Sequence, residues 1–268
     1  MSSKPIGIFD SGVGGLTVMA AIKKLLPNES LIYFGDTARV PYGNRCADTI
    51  LKYTEECTSF LAEKGVKAIV IACNTASAHV FPYLQHKFHF PLLGVIEPGV
   101  EAALNASQSG KIGVIGTRAT IASDVYAKQL KKRDASAKTV SIACPLFVPL
   151  VEEDWLENEV TQAVAKHYLS ELAQGNVDTV VLGCTHYPLL KNVIGKILGS
   201  KVTLIDSAEA VALSLKNLLK EKNLLAPLEE SHQKKKHQIY VTDLSDRFET
   251  IVKRFLKEDI PSVGRVTF

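Results

Sequence analysis

Two cysteines, Cys73 and Cys184, lie in matching sequence surroundings and could do chemistry as a pair. Each follows a short apolar run that predicts a buried strand, and each precedes small polar residues and a helix-compatible stretch. Backbone N–H groups at a helix start attract negative charge and lower the pKa of a thiol. A free cysteine titrates near about 8.5, so a modest lowering gives useful thiolate at neutral pH. We therefore expect two reactive thiols, against the alternative that each is a small buried apolar residue.

Two thiols on opposite sides of a bound molecule suit the inversion of a carbon stereocentre. Inversion removes a proton from one face and returns one to the other, so one group acts as thiolate and the other as thiol. A metal site fits less well, because Cys184 and His186 have no partner pair at zinc-ligand spacing. A Cys–His acyl-transfer site leaves Cys73 without a role, and a protein that only binds an amino acid needs neither thiol. The pair favours a cofactor-free enzyme that inverts the Cα of a small amino acid.

A glycine-rich segment, residues 10–15, lies between a predicted strand and a predicted helix. It matches neither the dinucleotide-binding fingerprint nor the P-loop, but its glycines allow a backbone to approach a ligand closely. Asp10 is either a helix cap or a functional residue. The turn 41–43 either closes a pocket or covers the surface. Glu152 is expected to be an ordinary surface carboxylate. His186 is either a catalytic residue or a histidine that only makes structural hydrogen bonds.

Short apolar runs alternate with longer amphipathic stretches along the chain. Most runs are continuous, as expected of parallel strands covered on both faces, so their order predicts βαβ units. The predicted strands are 6–9, 31–34, 68–72, 92–96, 112–115, 140–143, 179–182, 202–205 and 239–241. The predicted helices include 47–64, 124–132, 160–173 and 208–222.

The layout around the two cysteines is repeated. In each case a helix, a glycine and a strand lead into the cysteine, which places both thiols beyond the carboxyl end of a strand, where open parallel sheets bind ligands. The fold class is therefore predicted as α/β, with two similar αβα domains, mainly parallel sheets and the active site in the cleft between them. We place residues 1–97 and 208–268 in the first domain, with Cys73, and 98–207 in the second, with Cys184.

Composition excludes several classes of protein. The chain has 268 residues, of which 46% are apolar and 22% charged, and its net charge is +3. These values argue against disorder and against a nucleic-acid or membrane-binding surface, and the basic run 234–236 is expected to be a solvated turn. The sequence shows neither a signal-peptide core nor a long apolar run, so a cytoplasmic protein with free thiols is expected. The cysteines outside the two strand ends are expected to be structural: Cys46, Cys57 and Cys144.

Seven segments spread over most of the chain resemble the glutamate racemases of the cofactor-independent aspartate/glutamate racemase family. They are GIFDSGVGGLTV (7–18), FGDTARVPYGNR (34–45), VIACNTASA (70–78), GVIEPG (94–99), IGVIGTRATI (112–121), ACPLFVPLVEE (143–153) and LGCTHYPLL (182–190). The nearest rival is a racemase of aspartate or hydantoins. Those relatives typically lack the histidine after Cys-Thr, so His186 favours glutamate.

The resemblance implies that Cys73 and Cys184 are the paired acid and base, without cofactor or metal. Cys73 would take the proton from D-glutamate and Cys184 from L-glutamate. Asp10 would assist Cys73, and His186 would assist Cys184 with Glu152 behind it. The residues expected to hold the substrate are Asp10, Ser11, Tyr42, Gly43, Asn74, Thr75, Thr117, Thr120, Thr185 and His186.

These substrate residues make physical sense for a dicarboxylate. Hydroxyls, amides and backbone N–H groups can bind two carboxylates without a buried lysine, and can stabilise charge that develops on a carbanion. By the same resemblance, the expected role is the supply of D-glutamate for bacterial peptidoglycan. The expected partners are glutamate and a second copy of the chain in a homodimer, with no nucleic acid and no membrane.

Overall fold

The computed structural model describes residues 2–227, 237–245, 248–256 and 262–268. In chain order its strands are β1 (Ile6–Asp10), β2 (Leu31–Gly35), β3 (Ala68–Ile71), β4 (Leu92–Gly94), β5 (Lys111–Gly116), β6 (Lys138–Ala143), β7 (Thr179–Gly183), β8 (Thr203–Asp206), β9 (Gln238–Val241) and β10 (Ser262–Arg265). Its helices are α1 (Leu16–Leu25), α2 (Ala47–Glu63), α3 (Asn74–Leu84), α4 (Ile96–Ala106), α5 (Arg118–Ala122), α6 (Val125–Arg133), α7 (Phe147–Glu152), α8 (Glu159–Gln174), α9 (Lys191–Leu198), α10 (Ser207–Glu221) and α11 (Phe248–Leu256). Short 3-10 turns lie at Tyr42–Asn44 and Tyr187–Leu190.

The strands form two parallel sheets with a shared topology. The first has the order β10-β9-β2-β1-β3-β4 and the second the order β6-β5-β7-β8. The run β2-β1-β3-β4 therefore matches β6-β5-β7-β8 strand for strand, with β1 in the place of β5 and β3 in the place of β7. This match confirms the predicted α/β fold with two similar halves.

The strand order reverses at β1 in the first sheet and at β5 in the second. Successive connections leave that strand in opposite directions, which opens a crevice at the carboxyl ends of β1 and β3, and likewise of β5 and β7. The registers Phe9 with Ile71 and Ile115 with Leu182 bring these paired strands to the same edge. Residues that follow these four strands are thus directed to one crevice in each half.

A continuous apolar core joins the two halves. Buried residues of β1 and β3 belong to the same cluster as those of β5 and β7, and α1, α4 and α10 supply the residues between the sheets. α10 packs against both α1 and α4. Because each buried Leu, Ile or Val contributes about 1.5–3 kcal/mol, this shared core holds the two crevices face to face.

Four side chains cap the N-termini of helices. Cys73, Thr117, Asn158 and Asp206 each accept a hydrogen bond from a backbone N–H of the first turn, at α3, α5, α8 and α10. Such a cap typically stabilises a helix by about 1 kcal/mol. Two predicted site residues, Cys73 and Thr117, therefore have a structural role as well.

The predicted elements differ from the structure mainly at their ends. The strand expected at 92–96 ends at Gly94, because Val95 already has helical dihedrals and α4 begins at Ile96. α6 begins at Val125 rather than at Asp124, whose φ of 57° is left-handed. The strand β10 was not predicted, because none of its four residues is fully buried and it therefore has no continuous apolar run. The basic run 234–236 lies outside the described residues.

The domain boundaries remain a proposal. The chain enters the second sheet after β4 and returns to the first sheet with β9, which supports one domain of 1–97 with 208–268 and another of 98–207. Limited proteolysis with mass spectrometry would test these limits. Within the described residues, no helix has the length and apolar character needed to cross a membrane.

Candidate active site

Both thiols follow strands that border the crevice of their half. Cys73 is the second residue after β3, and Cys184 comes directly after β7. Both side chains are buried, and both line one cavity of about 290 Å³. That volume lies at the small end of ligand sites and fits a small amino acid. Larger grooves of about 600, 800 and 1090 Å³ elsewhere contain none of the predicted site residues.

Cys73 is held by neutral hydrogen-bond partners. Its thiol donates to Ser11 Oγ at 3.3 Å, and its sulfur accepts from the backbone N–H of Ala76 at 3.5 Å. Burial and the nearby charge of Asp10 raise the pKa of Cys73 to about 12, although the Ser11 and Ala76 contacts act to lower it. The expected lowering at the helix start is therefore present but is outweighed by burial, and the free protein carries Cys73 as a thiol at neutral pH.

Asp10 ends β1 beneath the cavity rather than in its lining. Its carboxylate accepts from the Gly12 N–H at 3.0 Å and from Thr185 Oγ1 at 3.4 Å. Burial raises the pKa of Asp10, while His186 and the Gly12 N–H act to lower it. The carboxylate is thus tied to Thr185 of the other half, and it influences Cys73 through its charge, whereas Ser11 makes the direct contact with the thiol.

Cys184 belongs to a charged row of side chains. Its sulfur lies 3.9 Å from His186 Nδ1, and His186 Nε2 lies 3.0 Å from Glu152 Oε1. Burial disfavours the charged imidazole, but the contacts with Cys184 and Glu152 outweigh it and raise the pKa of His186 to about 10. An imidazolium at neutral pH can donate one N–H to the sulfur and the other to the carboxylate. The structure therefore brings Cys184, His186 and Glu152 together in the predicted order.

The glycine-rich loop of the first half supports this row from behind. A Cβ at Gly14 would lie 2.3 Å from Thr185 Oγ1 and 2.4 Å from His186 Nδ1. Thr17 Oγ1 also donates to the backbone carbonyl of Thr185 at 3.2 Å. Only a glycine allows this approach, so residues 10–15 position the Cys184 row rather than cradle a phosphate.

Polar side chains from both halves meet beside Cys73. Thr75 Oγ1 lies 2.9 Å from Thr117 Oγ1 and 3.2 Å from Thr120 Oγ1, which joins α3 to the start of α5. Thr75 and Thr117 line the cavity, whereas Thr120 is fully buried behind them. Asn74 lines the cavity next to Thr75. The structure thus brings Asn74, Thr75 and Thr117 to the cavity, whereas Thr120 reaches it only through its hydrogen bonds to the two threonines.

The turn that contains Tyr42 and Gly43 closes one side of the cavity. Tyr42 is buried and its hydroxyl donates to Asp36, which also accepts from Thr242 Oγ1 at 2.8 Å and from Arg39 Nε at 2.7 Å. This network anchors the turn and occupies the Tyr42 hydroxyl, so a substrate contact by Tyr42 needs another part of that residue. Gly43 packs tightly against Thr117, where a Cβ would lie 2.8 Å from Thr117 Cβ.

The remaining cysteines lie outside the cavity. Cys57 and Cys144 are buried and Cys46 is exposed. In the described part of the chain, no group of three or more His, Cys, Asp or Glu side chains is arranged to hold a metal ion.

Three residues near the site were not predicted from the sequence. Arg118 lines the cavity as an exposed cation, Asp36 anchors the Tyr42 turn, and Tyr126 donates a hydrogen bond to Asn74. Arg118 and Asp36 lie inside the segments 112–121 and 34–45, whose similarity to the racemases could have drawn attention to them. Tyr126 lies outside all seven segments, and its contact arises only when the halves pack together.

Known proteins with similar sequences and folds are racemases. The Asp/Glu/Hydantoin racemase family model matches residues 6–215. A glutamate racemase of Geobacter metallireducens is 49% identical over 267 residues, which cover 100% of this chain and 98% of the relative. The crystal structure of the glutamate racemase isoform RacE1 from Bacillus anthracis has a TM-score of 0.94 at 41% identity, covering 100% of this chain and 99% of that one. The Francisella tularensis glutamate racemase, solved in complex with D-glutamate, has a TM-score of 0.93 at 39% identity, with 100% and 98% covered.

A two-domain α/β fold with a thiol from each half at one cavity defines an amino-acid racemase, which is an isomerase. The chain belongs to the Asp/Glu/Hydantoin racemase family, and within it to the glutamate racemases.

Proposed function

We propose that the protein interconverts L-glutamate and D-glutamate by a two-base proton transfer at Cα, with Cys73 and Cys184 as the two bases. The observation that carries this proposal is the pair of buried thiols, one from each half, in the lining of a single small cavity. The glutamate specificity is supported by the relatives named above and by His186 beside Cys184.

The reaction needs one thiolate and one thiol at a time. With D-glutamate bound, the Cys73 thiolate takes the Cα proton and becomes a thiol, and the Cys184 thiol gives its proton to the opposite face and becomes a thiolate. The reverse direction exchanges the two roles. The charge of Cys184 acts to raise the pKa of Cys73, so a thiolate on one side disfavours a second thiolate on the other. This coupling favours the mixed state that the mechanism requires.

Substrate binding favours the thiolate form of Cys73. Burial is the main cause of the raised pKa of Cys73, and a substrate ammonium group beside the sulfur would favour the thiolate. The donors of Asn74, Thr75 and Thr117 suit the carboxylates of the same substrate. We assign Ser11 and Asp10 to assist Cys73, one by contact and one by charge, and His186 with Glu152 to assist Cys184.

The two thiols can remove the Cα proton from one face and return a proton to the other. We therefore propose activity without pyridoxal phosphate or metal. Dialysis against a chelator should leave the rate unchanged. A large loss of rate that a metal or the aldehyde cofactor restores would overturn this part of the proposal.

A panel of L- and D-amino acids, followed by circular dichroism, tests the substrate. We expect both enantiomers of glutamate to lose their signal as the racemate forms, whereas aspartate should change little. Aspartate is the second candidate because the family model that matches this chain is described as one of aspartate, glutamate and hydantoin racemases. Racemisation of aspartate but not glutamate would overturn the glutamate assignment.

The biological role, the assembly and the location remain proposals. D-glutamate production would supply peptidoglycan synthesis, and loss of viability on depletion of the protein that added D-glutamate restores would support this role. Light scattering after gel filtration tests the homodimer, and cell fractionation tests the cytoplasmic location.

A further inference from the structure

Asn74 has an unpartnered amide group at the cavity. The side chain is buried and lines the cavity, and its Nδ2 has no hydrogen-bond partner. Its Oδ1 accepts from the hydroxyl of Tyr126 at 2.7 Å. A buried donor without a partner is unfavourable, so Nδ2 is suited to a ligand that supplies an acceptor.

The orientation of this amide depends on which of its ends faces Tyr126. In the opposite orientation, Nδ2 would donate to the Tyr126 oxygen and Oδ1 would face the cavity, where it would repel a carboxylate. The Tyr126 hydroxyl would then have to accept the bond, which would leave its own proton without the acceptor that Asn74 Oδ1 provides. Burial and the charge of Cys184 raise the pKa of Tyr126, which keeps the phenol a donor.

The Tyr126 ring is itself held in place from two sides. A Cβ at Gly99 of α4 would lie 3.4 Å from the Tyr126 hydroxyl, and a Cβ at Gly183 of β7 would lie 3.4 Å from Tyr126 Cε2. The ring therefore rests against the backbone of the second half, one residue before Cys184, while its hydroxyl reaches Asn74 in the first half. A fixed donor of this kind can set the orientation of a side-chain amide across the cleft.

We propose that Tyr126 is a positioning residue that orients the Asn74 amide, so that Nδ2 faces the cavity and donates to a carboxylate of the substrate. Tyr126 makes no contact with the substrate in this proposal and acts only through Asn74. The inference rests on the proposed function for the identity of the carboxylate ligand.

A double-mutant cycle tests this inference, with Tyr126→Phe, Asn74→Ala and the combined variant. Removal of the hydroxyl takes away the donor that holds Oδ1, so the amide can turn its oxygen to the cavity. We therefore expect Tyr126→Phe to raise KM for both enantiomers by about tenfold, the usual scale for one hydrogen bond to a charged group, with a smaller change in kcat. In the Asn74→Ala background the same substitution should change KM by less than about twofold, because residues that act as a unit are not additive.

Titration calorimetry with D-glutamate on the same four proteins provides the cycle where turnover is too slow to measure. Tyr240→Phe is the matched control, because its hydroxyl bonds to Gln238 Oε1 at 3.4 Å, away from the cavity, and it should leave KM unchanged. Equal effects of Tyr126→Phe in both backgrounds, or no effect in the wild type, would overturn the inference. A wild-type protein that binds D-glutamate without racemising it would overturn the proposed function alone, and one that binds neither enantiomer would overturn both.

Discussion

The Cys73 side and the Cys184 side of the cavity have the same position in the fold but different charges around the sulfur. Cys73 contacts a hydroxyl and a backbone N–H, and the charge with the larger effect on its pKa is the carboxylate of Asp10. Cys184 lies beside an imidazole whose pKa is raised to about 10 and which a carboxylate supports. The repeated topology places a thiol at the same position in each half. The segments that follow β1 and β7, however, place different side chains beside the two sulfurs.

This difference shows that a symmetric reaction does not need symmetric bases. The two enantiomers have equal free energy, so only the overall equilibrium must be unity, and the rate of each proton transfer can depend on its own assistant. In the free protein the raised pKa of Cys73 keeps that side protonated, whereas positive charge lies beside Cys184.

The largest effect is expected from replacing either sulfur. Cys73→Ser and Cys184→Ser should each lower racemisation by at least about 1000-fold, because a serine hydroxyl is too weak an acid to exist as the required base. Circular dichroism of each purified variant measures the rate in both directions. Cys46→Ser is the matched control, since that thiol is exposed and outside the cavity, and it should keep the wild-type rate.

Isotope incorporation in heavy water distinguishes two bases from one. With two thiols, product from L-glutamate should carry deuterium at Cα from its first appearance, while unreacted L-glutamate stays mostly protonated, and the reverse direction should behave alike. Mass spectrometry at early times measures both pools. A single base would return the substrate's own proton to the other face and leave much of the early product unlabelled. That result would contradict a mechanism with one base on each side of the cavity.

Replacement of His186 or of Asp10 should have a smaller effect than replacement of either sulfur. The two replacements should slow proton transfer on opposite sides of the cavity. His186→Asn should lower kcat about 100-fold, the usual range for an acid–base group, and should make proton transfer at Cys184 more rate-limiting. Asp10→Asn should do the same for transfer at Cys73. The ratio of kcat/KM for the two enantiomers must stay near one, so the asymmetry is read from the primary isotope effects of Cα-deuterated L- and D-glutamate. Equal isotope effects in both directions for both variants would contradict separate assistants.

Glu152 contacts His186 rather than the sulfur of Cys184. Its replacement should therefore lower kcat by less than replacement of His186. Glu152→Gln keeps a hydrogen-bond acceptor near His186 Nε2 but removes the charge. We expect kcat to fall about tenfold, the scale of one charge-assisted hydrogen bond at a partly exposed site. Glu153→Gln at the neighbouring position is the control. A fall equal to that of His186→Asn would show that the carboxylate, and not the imidazole alone, sets the chemistry.

The sequence predicted the parts of this site that depend on local pattern. Continuous apolar runs predicted the strands, and the strand ends predicted the places of Cys73 and Cys184, because burial on both faces leaves a direct signal in the sequence. The direction of the Cys73 pKa was wrong, because the loss of solvent around the sulfur is a property of the packed halves. The contact between Tyr126 and Asn74 was missed for the same reason, since its two residues come from different halves.

The smallest expected effect is a pH dependence of stability between pH 7 and 9 that comes from His186. Its pKa is raised from 6.5 to about 10, so the folded protein keeps a proton that the unfolded chain releases. The stabilisation is fully present below about pH 6.5 and is lost as the pH rises toward about 10. Wild-type protein should therefore be more stable than His186→Asn at pH 7, and the difference should shrink toward pH 9.5. Its slope can reach at most about 1.4 kcal/mol per pH unit, and solvent around the partly exposed Glu152 reduces it further.

Denaturant titrations at pH 7, 8 and 9 measure this difference, with Ser11→Ala as the control from the Cys73 side. Ser11 does not titrate and it contacts Cys73, whose raised pKa acts between 9 and about 12. The Ser11→Ala curve should therefore run parallel to the wild type between pH 7 and 9. A constant gap between wild type and His186→Asn would show that the imidazole is neutral in the folded protein. The charge difference between the two sides of the cavity would then be lost, although the two thiols would keep their places.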